Sequence, residues 1–159
     1  MIDVISSKPG ANPVTIEAVF PTTAARLFDA WTQPEQLRQW FGMDPSALGD
    51  IQIDLREGGV WRFVMRCGDG REEVLEGRYL EILPGERLAF SWSHKVKTSD
   101  GGDKRTPPSR VTIQFEPMGA ATRMTLEHVE IVTDGGRVGV RKGWQASFRA
   151  LADLVAPDR

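Results

Sequence analysis

The sequence predicts an α+β domain, an antiparallel sheet with its helices kept apart from the strands. Two observations carry this. Residues 48–129 break into six runs with period-two apolar alternation, parted by glycine- and proline-bearing turns. Helical signals are confined to the stretch after the first strand and to the end of the chain. Sequential strands with segregated helices define the α+β class. At 159 residues the chain is expected to form one domain with one core.

The elements follow in order. Residues 1–12 carry glycine, serine and proline without periodicity and read as a loose arm, so the domain is placed at 13–156. Val14 to Phe20 alternates and predicts a strand. Thr22 is a plausible cap for a helix that puts Leu27, Phe28 and Trp31 on one side. Pro34 fits the first turn of a second helix, Pro34 to Trp40. Strands are then predicted at Leu48–Leu55, Val60–Arg66, Glu73–Leu83, Leu88–His94, Arg110–Glu116 and Thr122–Val129. A helix from Gly136 to Val155 closes the chain, with Trp144, Phe148, Leu151 and Val155 as its apolar stripe.

Paired residues share a face, so the turns predict registers. The Gly68-Asp69-Gly70 turn sets Met65 against Leu75, Phe63 against Gly77 and Trp61 against Tyr79. Pro84-Gly85 sets Leu88 against Glu81, Phe90 against Tyr79, Trp92 against Gly77 and His94 against Leu75. Pro117-Met118-Gly119 sets Phe115 against Met124, Ile113 against Leu126 and Val111 against His128. Glu81 misfits on an inner face, which calls for a frayed strand end or a bulge. Gly77 falls between Phe63 and Trp92, where a missing side chain is expected to leave room for a cavity. Gly77→Ala is then expected to be tolerated.

Composition excludes several classes. Twenty basic against 22 acidic side chains lack the basic excess of a nucleic-acid binder. The longest apolar run is three residues, too short for a membrane span or a secretory signal, so a cytoplasmic protein without membrane insertion is expected. A single cysteine, Cys67, forms no internal disulfide and no thiolate cluster, and it has no nearby histidine in sequence to make it a nucleophile. Two histidines and one cysteine do not supply a metal site. No phosphate loop, dinucleotide fingerprint or nucleophile elbow occurs, and no cofactor is expected.

Trp31 to Gly42 (WTQPEQLRQWFG), Gly58 to Phe63 (GGVWRF), Gly77 to Trp92 (GRYLEILPGERLAFSW), His128, and Gly143-Trp144 with Leu151 carry a resemblance. The chain resembles the family named for the activator of a heat-shock chaperone's ATPase. That family lies within the superfamily of START, polyketide-cyclase and birch-pollen-allergen-like domains. The resemblance implies a helix-grip fold, a curved sheet of about seven strands around a long C-terminal helix. It also implies a deep apolar cavity between sheet and helix, of the kind that holds a hydrophobic small molecule. The alternatives are a cofactor-free cyclase or dehydratase, and a module that contacts a chaperone or a second copy of the chain.

Under that reading one inner surface carries the candidate ligand-binding residues. They are Trp61, Phe63, Met65, Tyr79, Phe90, Trp92, Ile113, Phe115, Met124 and Leu126 on the sheet, with Trp144, Phe148 and Leu151 facing them. Trp40 and Phe41 stand as a gate or as packing of the helix pair. The same alternation describes a solid core equally well. His94 and His128 fall on the apolar face at one end of the sheet, two strands or about 10 Å apart. They read as flanking one ligand head group, as acid and base, or as two separately satisfied rings, with Tyr79 adding a further polar contact. Residues 95–110 form a long connection with five basic and two acidic residues, read as a lid, a solvated hairpin extension or a disordered loop.

Overall fold

A computed structural model describes residues 2–8, 11–42, 48–66, 70–97 and 102–156. Its strands are β1 (Ile5–Ser6), β2 (Val14–Phe20), β3 (Leu48–Ile53), β4 (Val60–Arg66), β5 (Glu72–Leu83), β6 (Arg87–Lys97), β7 (Asp103–Arg105), β8 (Ser109–Met118) and β9 (Ala121–Val129). Its helices are α1 (Ala24–Thr32), α2 (Pro34–Trp40) and α3 (Asp134–Val155). All strand pairs are antiparallel, in the order β1-β2-β9-β8-β6-β5-β4-β3, with β7 added to β6.

Among the described residues there are two strands more than the seven expected. Part of the N-terminal arm is not loose: Ile5 and Ser6 pair with Glu17 and Ile16, and Ile2 and Val4 pack against the core. β7 is the return of a hairpin extension, pairing Lys95 with Arg105 and Val96 with Lys104. It replaces β8, whose own pairing with β6 ends at Trp92 and Ser109.

Helix boundaries follow capping chemistry. Thr23, not Thr22, caps α1, its hydroxyl accepting from Arg26 N at 3.1 Å. Thr133 caps α3 in the same way through Gly136 N at 3.0 Å. Gly135 and Gly136 both lie in the first turn of α3, which begins two residues before the expected Gly136. α3 buries Trp144, Ser147, Phe148, Leu151 and Val155 against the sheet.

The β8–β9 register is the one the turn predicts. In β5–β6 the pairs Leu75 with His94 and Tyr79 with Phe90 hold. A bulge between Tyr79 and Glu81 then sets Glu81 against Ala89 and Ile82 against Leu88. That bulge removes the Glu81 misfit. β4–β5 differs from expectation: Trp61 opposes Gly77, Phe63 opposes Leu75 and Met65 opposes Glu73. The slip is two residues, which keeps every side chain on its face, so face-matching does not distinguish the two registers. Gly68 and Asp69 of the intervening turn lie outside the described residues.

Gly77 has a different role from the one its face assignment implies. A Cβ there would stand 1.9 Å from Ser91 O and 2.8 Å from Trp61 Nε1. Close backbone approach, not cavity space, requires the glycine. Gly77→Ala is therefore expected to destabilise the fold by about 1–3 kcal/mol through overpacking. Urea unfolding measures this, and a variant as stable as wild type would contradict the close approach.

Candidate functional site

Beyond Trp92 the sheet and α3 part, and a cavity of about 930 Å³ opens between them. Its sheet side is Met65 and Arg66 of β4, Glu73 and Leu75 of β5, Trp92 and His94 of β6, Ser109 of β8 and His128 of β9. Phe41 and Gly42 close it from the end of α2, and Arg105, Thr106 and Pro107 from the hairpin extension. The link from Glu130 to Thr133 forms a further edge. The remaining wall is one face of α3: Gly136, Gly139, Val140, Gly143, Trp144 and Ser147.

That helix face changes character along its length. Gly139 and Gly143 point at open space, for a Cβ on either would meet nothing within 4 Å. Gly136 differs, because its Cβ would lie 2.8 Å from the capping Thr133 Oγ1. From Trp144 onward the same face carries large side chains and the space closes. Sequence reasoning missed Gly139 and Gly143. The signal was their place four residues apart, with Gly143 directly before Trp144, on the helix stripe that continues into rings.

The expected ligand-contact residues divide into three groups. Phe41, Met65, Trp92, His94, His128 and Trp144 line the cavity. Trp61, Phe63, Tyr79 and Phe90 instead surround a void of about 20 Å³, which Phe41 and Trp92 separate from the main cavity. Trp40, Ile113, Phe115, Met124, Leu126, Phe148 and Leu151 line neither space and belong to the solid core. Trp40 is fully buried and donates from Nε1 to Ala30 O at 2.9 Å, so it packs the helix pair and is no gate. Phe41 stands edge-on to Phe63 at 4.9 Å and to Trp144 at 5.9 Å, which fixes it as the partition.

The two histidines differ in kind. His128 is fully buried, and every polar atom of its ring has a partner. Trp144 Nε1–H donates to its Nδ1 at 3.2 Å. Because an indole nitrogen only donates, Nε2 carries the imidazole proton and donates to Ser109 Oγ at 2.7 Å. The Ser109 hydroxyl in turn donates to Trp92 O at 3.3 Å. This chain ties α3, β9, β8 and β6 together as the floor of the cavity. Burial lowers the His128 pKa to about 3, so the ring is neutral at physiological pH.

His94 is half-buried at the rim, with Nε2 2.9 Å from Glu73 Oε1. It does not stand level with His128. Val111 pairs with both His128 and Phe90, so His94 lies four residues further along β6, about 13 Å of strand. The long 95–110 connection leaves that register open in the sequence. Tyr79 is remote from the cavity, and burial pushes its phenol pKa up, so it stays protonated. Cys67 falls outside the described residues. Among the described residues no group of His, Cys, Asp and Glu is arranged to hold a metal ion. No helix there is long and apolar enough to cross a membrane.

The family profile described as activator of Hsp90 ATPase homolog 1-like protein matches residues 21–156. The chain belongs to that family. No curated protein matches it. Solved structures agree with the fold over nearly the whole chain. The AHSA1 protein of Silicibacter pomeroyi is 27% identical, covering 91% of this chain and 97% of its own, with a TM-score of 0.74. A protein of Rhizobium leguminosarum is 25% identical over 97% of each chain, with a TM-score of 0.75. A Rhodobacter sphaeroides protein, 21% identical with a TM-score of 0.76 over 97% of this chain and 98% of its own, shares the fold. The helix-grip architecture is thus that of this AHSA1-like chain and its neighbours.

His128 gives a pH prediction. Its folded pKa lies below the ordinary value of 6.5, so the unfolded chain takes up the proton first. Its contribution to stability is complete above pH 6.5 and is lost as pH falls toward 3. The loss approaches about 1.4 kcal/mol per pH unit once pH is well below the unfolded value. Urea unfolding between pH 6 and pH 4 is expected to approach this slope in wild type and to show a shallower one in His128→Gln. Equal slopes would contradict the neutral, buried ring.

Proposed function

We propose that the chain binds an apolar small molecule in the cavity between α3 and the far ends of β4, β5 and β6. The observation that carries this is the open space at Gly139 and Gly143. Glycine inside a helix costs about 1 kcal/mol relative to alanine. Both residues lie inside α3, and no neighbouring atom excludes a side chain from either. A protein interior otherwise packs to crystal-like density. Two consecutive turns of the helix therefore accept a stability cost that leaves volume open beside Trp92 and Trp144.

The volume lies within the range of small-molecule pockets, about 300–1,000 Å³. Most of its lining surface is apolar, with charged groups such as Arg66, Glu73 and Arg105 at the rim and the bonded pair His128 and Ser109 in the floor. A ligand that buries 200 Å² of apolar surface gains about 5 kcal/mol, at about 25 cal/mol per Å². The rings of Phe41, Trp92 and Trp144 offer faces and edges for a ring-bearing ligand. The family supplies the fold for this reading, and the glycine face supplies the specific support.

The test is Gly143→Leu, read by thermal melting and by the fluorescence of Nile red. Wild type is expected to bind the dye in a blue-shifted, apolar environment. The variant is expected to melt at or above the wild-type temperature, since glycine leaves the helix, and to bind the dye at least tenfold more weakly. Gly143→Ala should stabilise by about 0.5–1 kcal/mol. A wild type that fails to bind the dye, or a leucine variant that melts far below the alanine variant, would contradict an open cavity.

A further inference from the structure

We propose that His94 is the polar anchor of the cavity, accepting a hydrogen bond from a hydroxyl group on an otherwise apolar, ring-bearing ligand. The proposal rests on the cavity reading above and adds the chemical class of the ligand.

Most polar groups around the cavity are already engaged. Both ring nitrogens of His128 are bonded, and Ser109 links His128 to Trp92 O. Ser147 Oγ accepts from Gly42 N at 3.0 Å. Thr106 Oγ1 accepts from His94 N at 3.0 Å. Arg105 lies 3.1 Å from Glu76, and Arg66 faces Asp50 at 3.8 Å, both at the exposed rim. His94 is different. Its Nε2 is 2.9 Å from Glu73 Oε1, while no hydrogen bond joins its Nδ1 to a described residue.

The chemistry follows from the donor inventory. A carboxylate only accepts, so Nε2 carries a proton and donates to Glu73, and the imidazole form of the ring keeps its lone pair on Nδ1. Nδ1 is then a lone-pair acceptor. The backbone holds the ring's position from both sides, for His94 N donates to Thr106 Oγ1 and His94 O accepts from Thr106 N at 2.9 Å. Glu73 is a positioning residue that fixes the tautomer by accepting from the Nε2–H. An acceptor of this kind selects a donor. An ammonium donor is disfavoured by desolvation in an apolar cavity, and an ionised acid has no proton to give. A neutral hydroxyl satisfies both conditions.

The experiment compares 2-naphthol with 2-methylnaphthalene, which has nearly the same shape but no donor, by isothermal titration calorimetry. His94→Leu is expected to weaken 2-naphthol about tenfold and to leave 2-methylnaphthalene within about twofold. Glu73→Leu should lower the naphthol affinity part of the way and move the His94 ring ¹⁵N shifts away from the pure Nε2–H form. Glu73→Gln, which keeps an acceptor, should restore both. If both probes bind wild type and lose affinity equally in His94→Leu, the anchor is wrong and the cavity stands. If wild type binds neither probe, the anchor and the cavity reading fall together.

Discussion

The packing of α3 against the sheet governs everything else in this fold. Over its second half, Trp144, Phe148, Leu151 and Val155 are buried against the sheet and the interior is solid. Over its first half, Gly139 and Gly143 present no side chain and the helix backbone stands off from the strands. One helix thus builds a core at one end and a cavity at the other. The partition between them is aromatic. Phe41 and Trp92 border both the main cavity and the small void behind it.

Such an opening needs a rigid floor, or the rings would collapse into it. The Trp144–His128–Ser109–Trp92 chain provides one, because each donor and acceptor in it has one compatible assignment. A neutral histidine is the joint, and burial keeps it neutral. His94 has the opposite situation at the rim, half-exposed and with one ring nitrogen on Glu73. Two histidines on one apolar face therefore differ in place, His128 bracing the floor of the cavity and His94 standing at its rim beside Glu73.

Periodicity in the sequence was enough for the fold class, the element order and the facing of nearly every strand, because alternation reports which side a residue occupies. It does not report absolute register, and the two-residue slip of β4 against β5 is invisible to it. β1 and β7 are two and three residues long, below the length at which alternation is readable. At the site, the rings and both histidines were visible, but not which rings meet a cavity. Ile113, Phe115, Met124 and Leu126 alternate as cleanly as Trp92 does, yet they are buried in solid core, with Phe28 of α1 edge-on to Phe115 and Trp31 of α1 against the Met124 sulfur. Gly77 shows the same limit from the other side. Its face was right, and its reason, the close approach of Ser91 O on β6, lies in backbone geometry that alternation does not report.

The central claim is that the glycine face of α3 borders an accessible apolar space. The most direct measurement is an isotope-filtered nuclear Overhauser spectrum of labelled protein with unlabelled 2-naphthol. The account predicts cross-peaks from the naphthol ring to the Hα protons of Gly139 and Gly143 and to the Trp92 and Trp144 indoles. Cross-peaks confined to the outer face of the sheet, or to none of these four residues, would contradict it.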